Sequence, residues 1–121
     1  MADKRLVVID DEPDFGEFVR EVASGMGYDV AVTTRWQDFL DAYYDSEPSV
    51  IVVDMVLPDV EGIDLLEWLA EVECKAKIIV VSGKSPLYTR LAKSLGNAKG
   101  LQQITTMAKP VKLADLRAAL S

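Results

Sequence analysis

The chain has no histidine and a single cysteine, Cys74, among its 121 residues. Without an imidazole there is no histidine-based zinc site, no histidine general base and no serine or cysteine triad. One cysteine excludes an internal disulfide and fits a reducing compartment, so a cytoplasmic location is expected. Half of the residues are apolar, yet no run approaches the length needed to cross a bilayer. The opening residues, Met1 to Arg5, lead straight into a strand-like run and lack the layout of a signal peptide. Bases are scarce in the first part of the chain. Residues 1–74 hold 19 acids and 4 bases, a net of −15, while residues 75–121 hold Asp115 and 9 bases, a net of +8. The split points to a basic face in the last third that suits an acidic partner. Nucleic acid is not expected, because the overall charge is −7 and no aromatic residues interleave with the bases.

What the sequence does have is acids at the ends of apolar runs. Leu6 to Ile9 runs into Asp10, Asp11 and Glu12, and Val50 to Val53 runs into Asp54. Short β-branched runs of this kind read as strands buried on both faces. In an open α/β sheet the chemistry lies just beyond the carboxyl ends of the strands. Two strands therefore bring Asp10, Asp11 and Asp54 to one edge, a donor set suited to a hard divalent cation and to Mg²⁺ in particular. Lys77 to Val81 is a third run and ends in Ser82-Gly83; Ile104 to Ala108 is a weaker fourth and ends in Lys109-Pro110. An edge with acids, a hydroxyl and an ammonium is equipped to phosphorylate a carboxylate. One acid is the nucleophile, the others hold the metal, and Ser82 and Lys109 bind phosphoryl oxygens.

Helical patterns alternate with the strands. Phe15, Phe18, Val19, Val22, Ala23 and Met26 form the first stripe, ended by Gly25 and Gly27. Tyr28 to Val32 reads as a short strand. Thr34 and Gln37 have capping-box spacing and place the start of the next helix at Thr34. Trp36, Phe39, Leu40, Tyr43 and Tyr44 stripe that helix, and packing explains its aromatics better than a stacking platform does. A loop from Pro58 to Gly62 follows. Ile63, Leu66, Leu69 and Ala70 then stripe a third helix, Leu87, Leu91, Ala92 and Leu95 a fourth, and Leu113, Leu116 and Leu120 a fifth. Met26, Met55 and Met107 are expected as core filler. The fold class predicted is α/β: a doubly wound, five-stranded parallel sheet flanked by five helices, as one domain over residues 1–121.

Four fragments in order carry a resemblance. Val8-Ile9-Asp10-Asp11-Glu12, the stretch from Asp54 to Gly62, Val81-Ser82-Gly83 and Lys109-Pro110 together resemble the receiver domain of two-component response regulators, a flavodoxin-like fold. The resemblance covers essentially the whole chain, with no output domain expected. It implies that Asp54 is the phosphoacceptor and that Asp10 and Asp11 form the acidic pocket for Mg²⁺, with the Val56 carbonyl completing the protein ligands. It implies that Ser82 and Lys109 take phosphoryl oxygens. The donor would be a histidine kinase or a histidine phosphotransfer protein, since this chain has no histidine of its own. Such a module is not a conventional enzyme, although it promotes its own phosphorylation and dephosphorylation; it touches neither membrane nor nucleic acid directly, and some members dimerise on phosphorylation.

Three departures from the family pattern stand out. Thr106 replaces the aromatic usual three residues before the lysine. Gly96 and Lys109 are 13 residues apart, about twice the usual spacing, so Asn97 to Gln103 extend the fourth helix or its loop. Val56 and Lys84 flank the acceptor where polar groups are common. An apolar Val56 cannot orient a hydrolytic water, which implies a long-lived phosphoryl group. Two alternatives share the logic of a strand-end acid. A phosphatase with an aspartyl-phosphate intermediate would carry a second acid where Val56 stands, and a flavin-binding protein would carry a Ser/Thr/Gly loop where Asp11-Glu12-Pro13 stands.

Overall fold

The computed structural model describes residues 4–83 and 86–121, so Lys84 lies outside the described residues. Strands and helices alternate strictly. They are β1 (Arg5–Ile9), α1 (Pro13–Ser24), β2 (Asp29–Thr33), α2 (Trp36–Ser46), β3 (Val50–Asp54), α3 (Gly62–Glu71), β4 (Lys77–Ser82), α4 (Pro86–Ala98), β5 (Ile104–Ala108) and α5 (Leu113–Leu120). All strand pairs are parallel, in the order β2-β1-β3-β4-β5. No helix among the described residues is long and apolar enough to cross a membrane.

The apolar runs explain the two-layered core. Successive side chains of a strand point to opposite faces. Val7, Ile9, Ile51, Val53, Ile78 and Val80 face α2, α3 and α4, where they meet Phe39, Leu65, Leu66, Leu69 and Ala92. Leu6, Val8, Val50, Val52, Ile79 and Val81 face α1 and α5, where they meet Val19, Ala23, Leu116 and Leu120. Burying one such side chain contributes roughly 1.5–3 kcal/mol before chain entropy is counted. The central strands therefore anchor the fold, and their ends are fixed points.

Several local expectations are corrected. The capping box at Thr34 and Gln37 does not form: α2 begins at Trp36, no side chain of its own N-cap bonds the helix, and Gln37 instead donates to Asp41. The cap comes from the loop after β3, where Asp59 Oδ2 accepts the Trp36 N–H at 3.0 Å. The fourth helix ends at Ala98 and the residues on to Gln103 form its loop, one of the two forms expected for them. Gly100 has φ +108°, Leu101 N–H reaches back to the Gly96 carbonyl, and Gly100 N–H reaches that of Asn97. This left-handed cap, with Leu101 buried behind it, ends the helix. Leu87 and Leu91 of α4 and Leu113 of α5 are exposed although they belong to apolar stripes. Met55 is buried as expected, whereas Met26 and Met107 are only half-buried.

Candidate functional site

The strand register sets the site. Ile9 pairs with Val53, so Asp10 and Asp54 are the next residues on adjacent strands. Ser82 pairs with Ala108, so Lys109 follows at the same edge. From β1 the chain moves outward to β2 on one side, and from the neighbouring β3 it moves outward to β4 on the other. The crevice opens where these paths diverge, the usual place for a ligand in open α/β sheets. Asp54, Asp11, Glu12, Val56, Gly83 and Lys109 line a cleft of about 340 Å³ there. At Gly62 the loop returns so close that an added Cβ would lie 2.8 Å from the Met55 backbone. That close approach fixes the path between Asp54 and α3.

Asp10 and Asp54 are buried and Asp11 is exposed. Asp10, Asp11 and Asp54 each offer a carboxylate oxygen within 4.8 Å of the others. Asp10 Oδ1 accepts the Glu12 N–H at 2.8 Å, and Asp54 Oδ1 accepts the Val56 N–H at 3.3 Å. Lys109 Nζ lies 2.8 Å from Asp10 Oδ2, 2.8 Å from Glu12 Oε1 and 3.6 Å from Asp54 Oδ2. The ammonium's approach to Asp10 Oδ2 is that of a charge partner rather than an aligned hydrogen bond, and that buried oxygen lacks a hydrogen-bond donor. The ammonium also stands 4.8 Å from the centre of the Phe15 ring.

These contacts pull the proton affinities apart. Burial, followed by the neighbouring Asp10 charge, raises the Asp54 carboxyl to about 6. Asp10 is also raised, chiefly by burial, with Lys109 opposing it. The hydrogen bond from Lys109 lowers Glu12. Burial alone would lower Lys109, but its close contacts with the Asp10 and Glu12 carboxylates outweigh it and hold the ammonium charged.

The structure brings together Asp10, Asp11, Asp54, Lys109 and the Val56 backbone. Ser82 ends β4 in the adjoining position and is buried. It lines a separate cavity of about 270 Å³ on the α4 side, with Thr89, Thr106 and Met107. Thr106, at the aromatic's usual position, thus borders open space beside Ser82. Glu12 was not among the residues assigned a role from the sequence, yet it holds Lys109. Its place in the Asp10-Asp11-Glu12 run was the available signal, but a pairing across 97 residues leaves no local trace.

An all-oxygen trio with an undonated buried oxygen and two carboxyls resisting ionisation fits a hard divalent cation. The comparisons agree with this geometry. The chemotaxis protein CheY of Thermotoga maritima is 28% identical over 80 residues, covering 65% of this chain and 67% of that protein. The transcriptional regulatory protein TrcR of Mycobacterium tuberculosis is 28% identical over 116 residues; they make up 96% of this chain but 43% of TrcR, so the chain spans less than half of that relative. A response regulator protein from Burkholderia pseudomallei, solved with a phosphorylated aspartic acid, a calcium ion and citrate, superposes with a TM-score of 0.79 at 24% identity, covering 98% of this chain and 67% of that one. Residues 6–121 match the response regulator receiver domain family as a whole. With the parallel fold, the acidic trio and the strand-end lysine all in their places, the chain belongs to the receiver domains of two-component response regulators.

Proposed function

We propose that Asp54 accepts a phosphoryl group from a phosphohistidine donor and that the modified carboxylate switches a partner-binding face. The observation that carries this reading is the buried Asp54 carboxylate at the floor of an open cleft, 3.6 Å from Lys109 and beside Asp10 and Asp11. Asp10, Asp11, Asp54 and the Val56 carbonyl would hold Mg²⁺. When bound there it supplies positive charge to the oxygens of the transferring group. An Asp54 oxygen bonds to phosphorus as the phosphorus–nitrogen bond to the donor histidine breaks, and the imidazole leaves with the electron pair. Lys109 then trades its contacts with Asp10 and Glu12 for a phosphoryl oxygen, and the Ser82 hydroxyl donates to another.

Val56 argues against the phosphatase alternative. Its side chain is exposed at the cleft and can neither donate nor accept a proton. The same property supports a long-lived phosphoryl group. A histidine kinase or phosphotransfer protein as donor, a cytoplasmic setting, and a role as a switch without turnover of an external substrate all belong to this reading. The relative of like fold with a phosphorylated aspartic acid and a calcium ion supports it. Transfer from a radiolabelled phosphohistidine protein tests it. Label should reach the wild-type chain with Mg²⁺ present and should not reach Asp54→Asn. Equal labelling of both chains would assign the acceptor elsewhere.

A further inference from the structure

Residues 36–74 hold eleven Asp or Glu and no Lys or Arg. This stretch supplies both α2 and α3, which lie on the same face of the sheet. Five of the chain's nine aromatic residues form one contiguous group on these two helices. Trp68 of α3 is its centre, with ring-centre distances of 5.4 Å to Trp36, 6.3 Å to Phe39, 5.1 Å to Tyr43 and 6.1 Å to Tyr44. Phe39 is fully buried and belongs to the core. Trp36, Tyr43 and Trp68 are half-buried, and Tyr44 is 65% exposed. Core packing accounts for the inner edge of this group and leaves its outer edge unexplained.

Acids frame that outer edge. On α3, Asp64 stands one turn before Trp68 and Glu71 one turn after it, which puts all three on one stripe. On α2, Asp41, which accepts from Gln37, stands one turn before Tyr44, and Asp45 follows Tyr44 in sequence. All four acids are exposed. Glu67, nearer α4, is already paired with Lys99 at 3.7 Å. Beyond Tyr44 a cleft begins whose walls include Arg5 and Lys75. The acidic field is therefore bounded on both sides and runs along the seam between the helices.

We propose that this α2–α3 face docks an arginine-bearing basic segment of a partner protein. An aromatic face flanked by carboxylates suits a guanidinium, which stacks on the ring while its N–H groups reach the acids. Asp64 to Glu71 spans about 10 Å along α3, and the rings of Trp36, Tyr43 and Tyr44 meet Trp68 across the seam. That area takes several cations at once, so the occupant is a polypeptide segment rather than a single small cation. The face is separate from the cleft at Asp54, and the proposal stands independently of the phosphoacceptor reading.

Both tryptophans of the chain belong to the aromatic group, so their emission reports on this face directly. The intact chain, with Mg²⁺ saturating to mask the other acidic cluster, is titrated with an oligo-arginine peptide and an oligo-lysine peptide of equal length. The arginine peptide should bind about two- to fivefold more tightly, the scale of an exposed cation–π contact. Tyr44→Ser, which removes an exposed ring and leaves the core intact, should abolish that preference, as should Glu71→Gln in part. Asp14→Asn on α1 removes one acid elsewhere and should preserve it. Equal affinity for the two peptides in the wild-type chain would overturn the proposal. So would a preference that survives Tyr44→Ser, or amide shifts that map to residues 10–14 rather than to α2 and α3.

Discussion

Asp54 is held in the folded chain in a form that favours its proton. Its carboxyl sits at about 6 in the native state, against about 3.9 in an unfolded chain. The folded state therefore binds the proton more tightly than the unfolded state between these values. This contribution is favourable at acid pH and is lost as pH rises from about 4 through about 6. Asp10, also raised, acts in the same direction. A divalent cation bound by the trio should reverse the loss. Thermal melts without metal should therefore show Asp54→Asn more stable than wild type at pH 7.5, by about 1–2 kcal/mol after allowance for local relaxation, and the gap should narrow to about a third of that at pH 4.5. Added Mg²⁺ should raise the wild-type midpoint and leave Asp54→Asn nearly unmoved. A variant no more stable than wild type at pH 7.5 would show that the buried carboxylate carries no such strain.

At the scale of elements, the loop from Met55 to Glu61 does two jobs. It follows Asp54, and through Asp59 it caps α2 23 residues earlier in the chain. Side-chain caps of this kind are worth about 1 kcal/mol. Asp59→Ala should lower stability by about that amount and alter tryptophan emission, because the uncapped residue is Trp36. Denaturant titration followed at both tryptophan and far-ultraviolet wavelengths checks this, and an unchanged midpoint would remove Asp59 from that role. On the opposite flank, α4 borders the cavity beside Ser82 and Thr106. Lacking the aromatic ring that gates this space in the family, the chain should transmit phosphorylation through α4 itself. Hydrogen exchange with a beryllofluoride phosphoryl mimic should change across residues 86–98, the observed extent of the helix. Changes restricted to residues 54–62 would direct the output surface away from α4.

At the scale of the whole molecule, the fold was readable because β-branched runs and helical stripes alternate without exception. The three acids and the lysine were readable for the same reason: each sits within two residues of the end of a strand-like run, so strand register brings them together. What escaped was set by long-range pairing. Thr34 and Gln37 have the spacing of a capping box, yet Asp59 takes that task from a distant loop. Glu12 looked like one more acid in a run, yet it fixes the direction of Lys109. Periodicity also marked Leu87, Leu91 and Leu113 as core, because a pattern of spacing does not say which end of a stripe the sheet reaches. The charge split, visible by counting, became specific only when residues 36–74 proved to place their five aromatic residues on one face.

The central claim is that Asp54 is the acceptor, and intact-mass spectrometry after incubation with acetyl phosphate tests it most directly. With Mg²⁺ the wild-type chain should gain the mass of one phosphoryl group, and the gain should vanish with a chelator. Asp54→Asn should gain nothing, since an amide is a poor nucleophile. Asp11→Ala should gain it slowly, through weakened metal binding. A full mass gain in Asp54→Asn, or one independent of Mg²⁺ in the wild-type chain, would contradict the account.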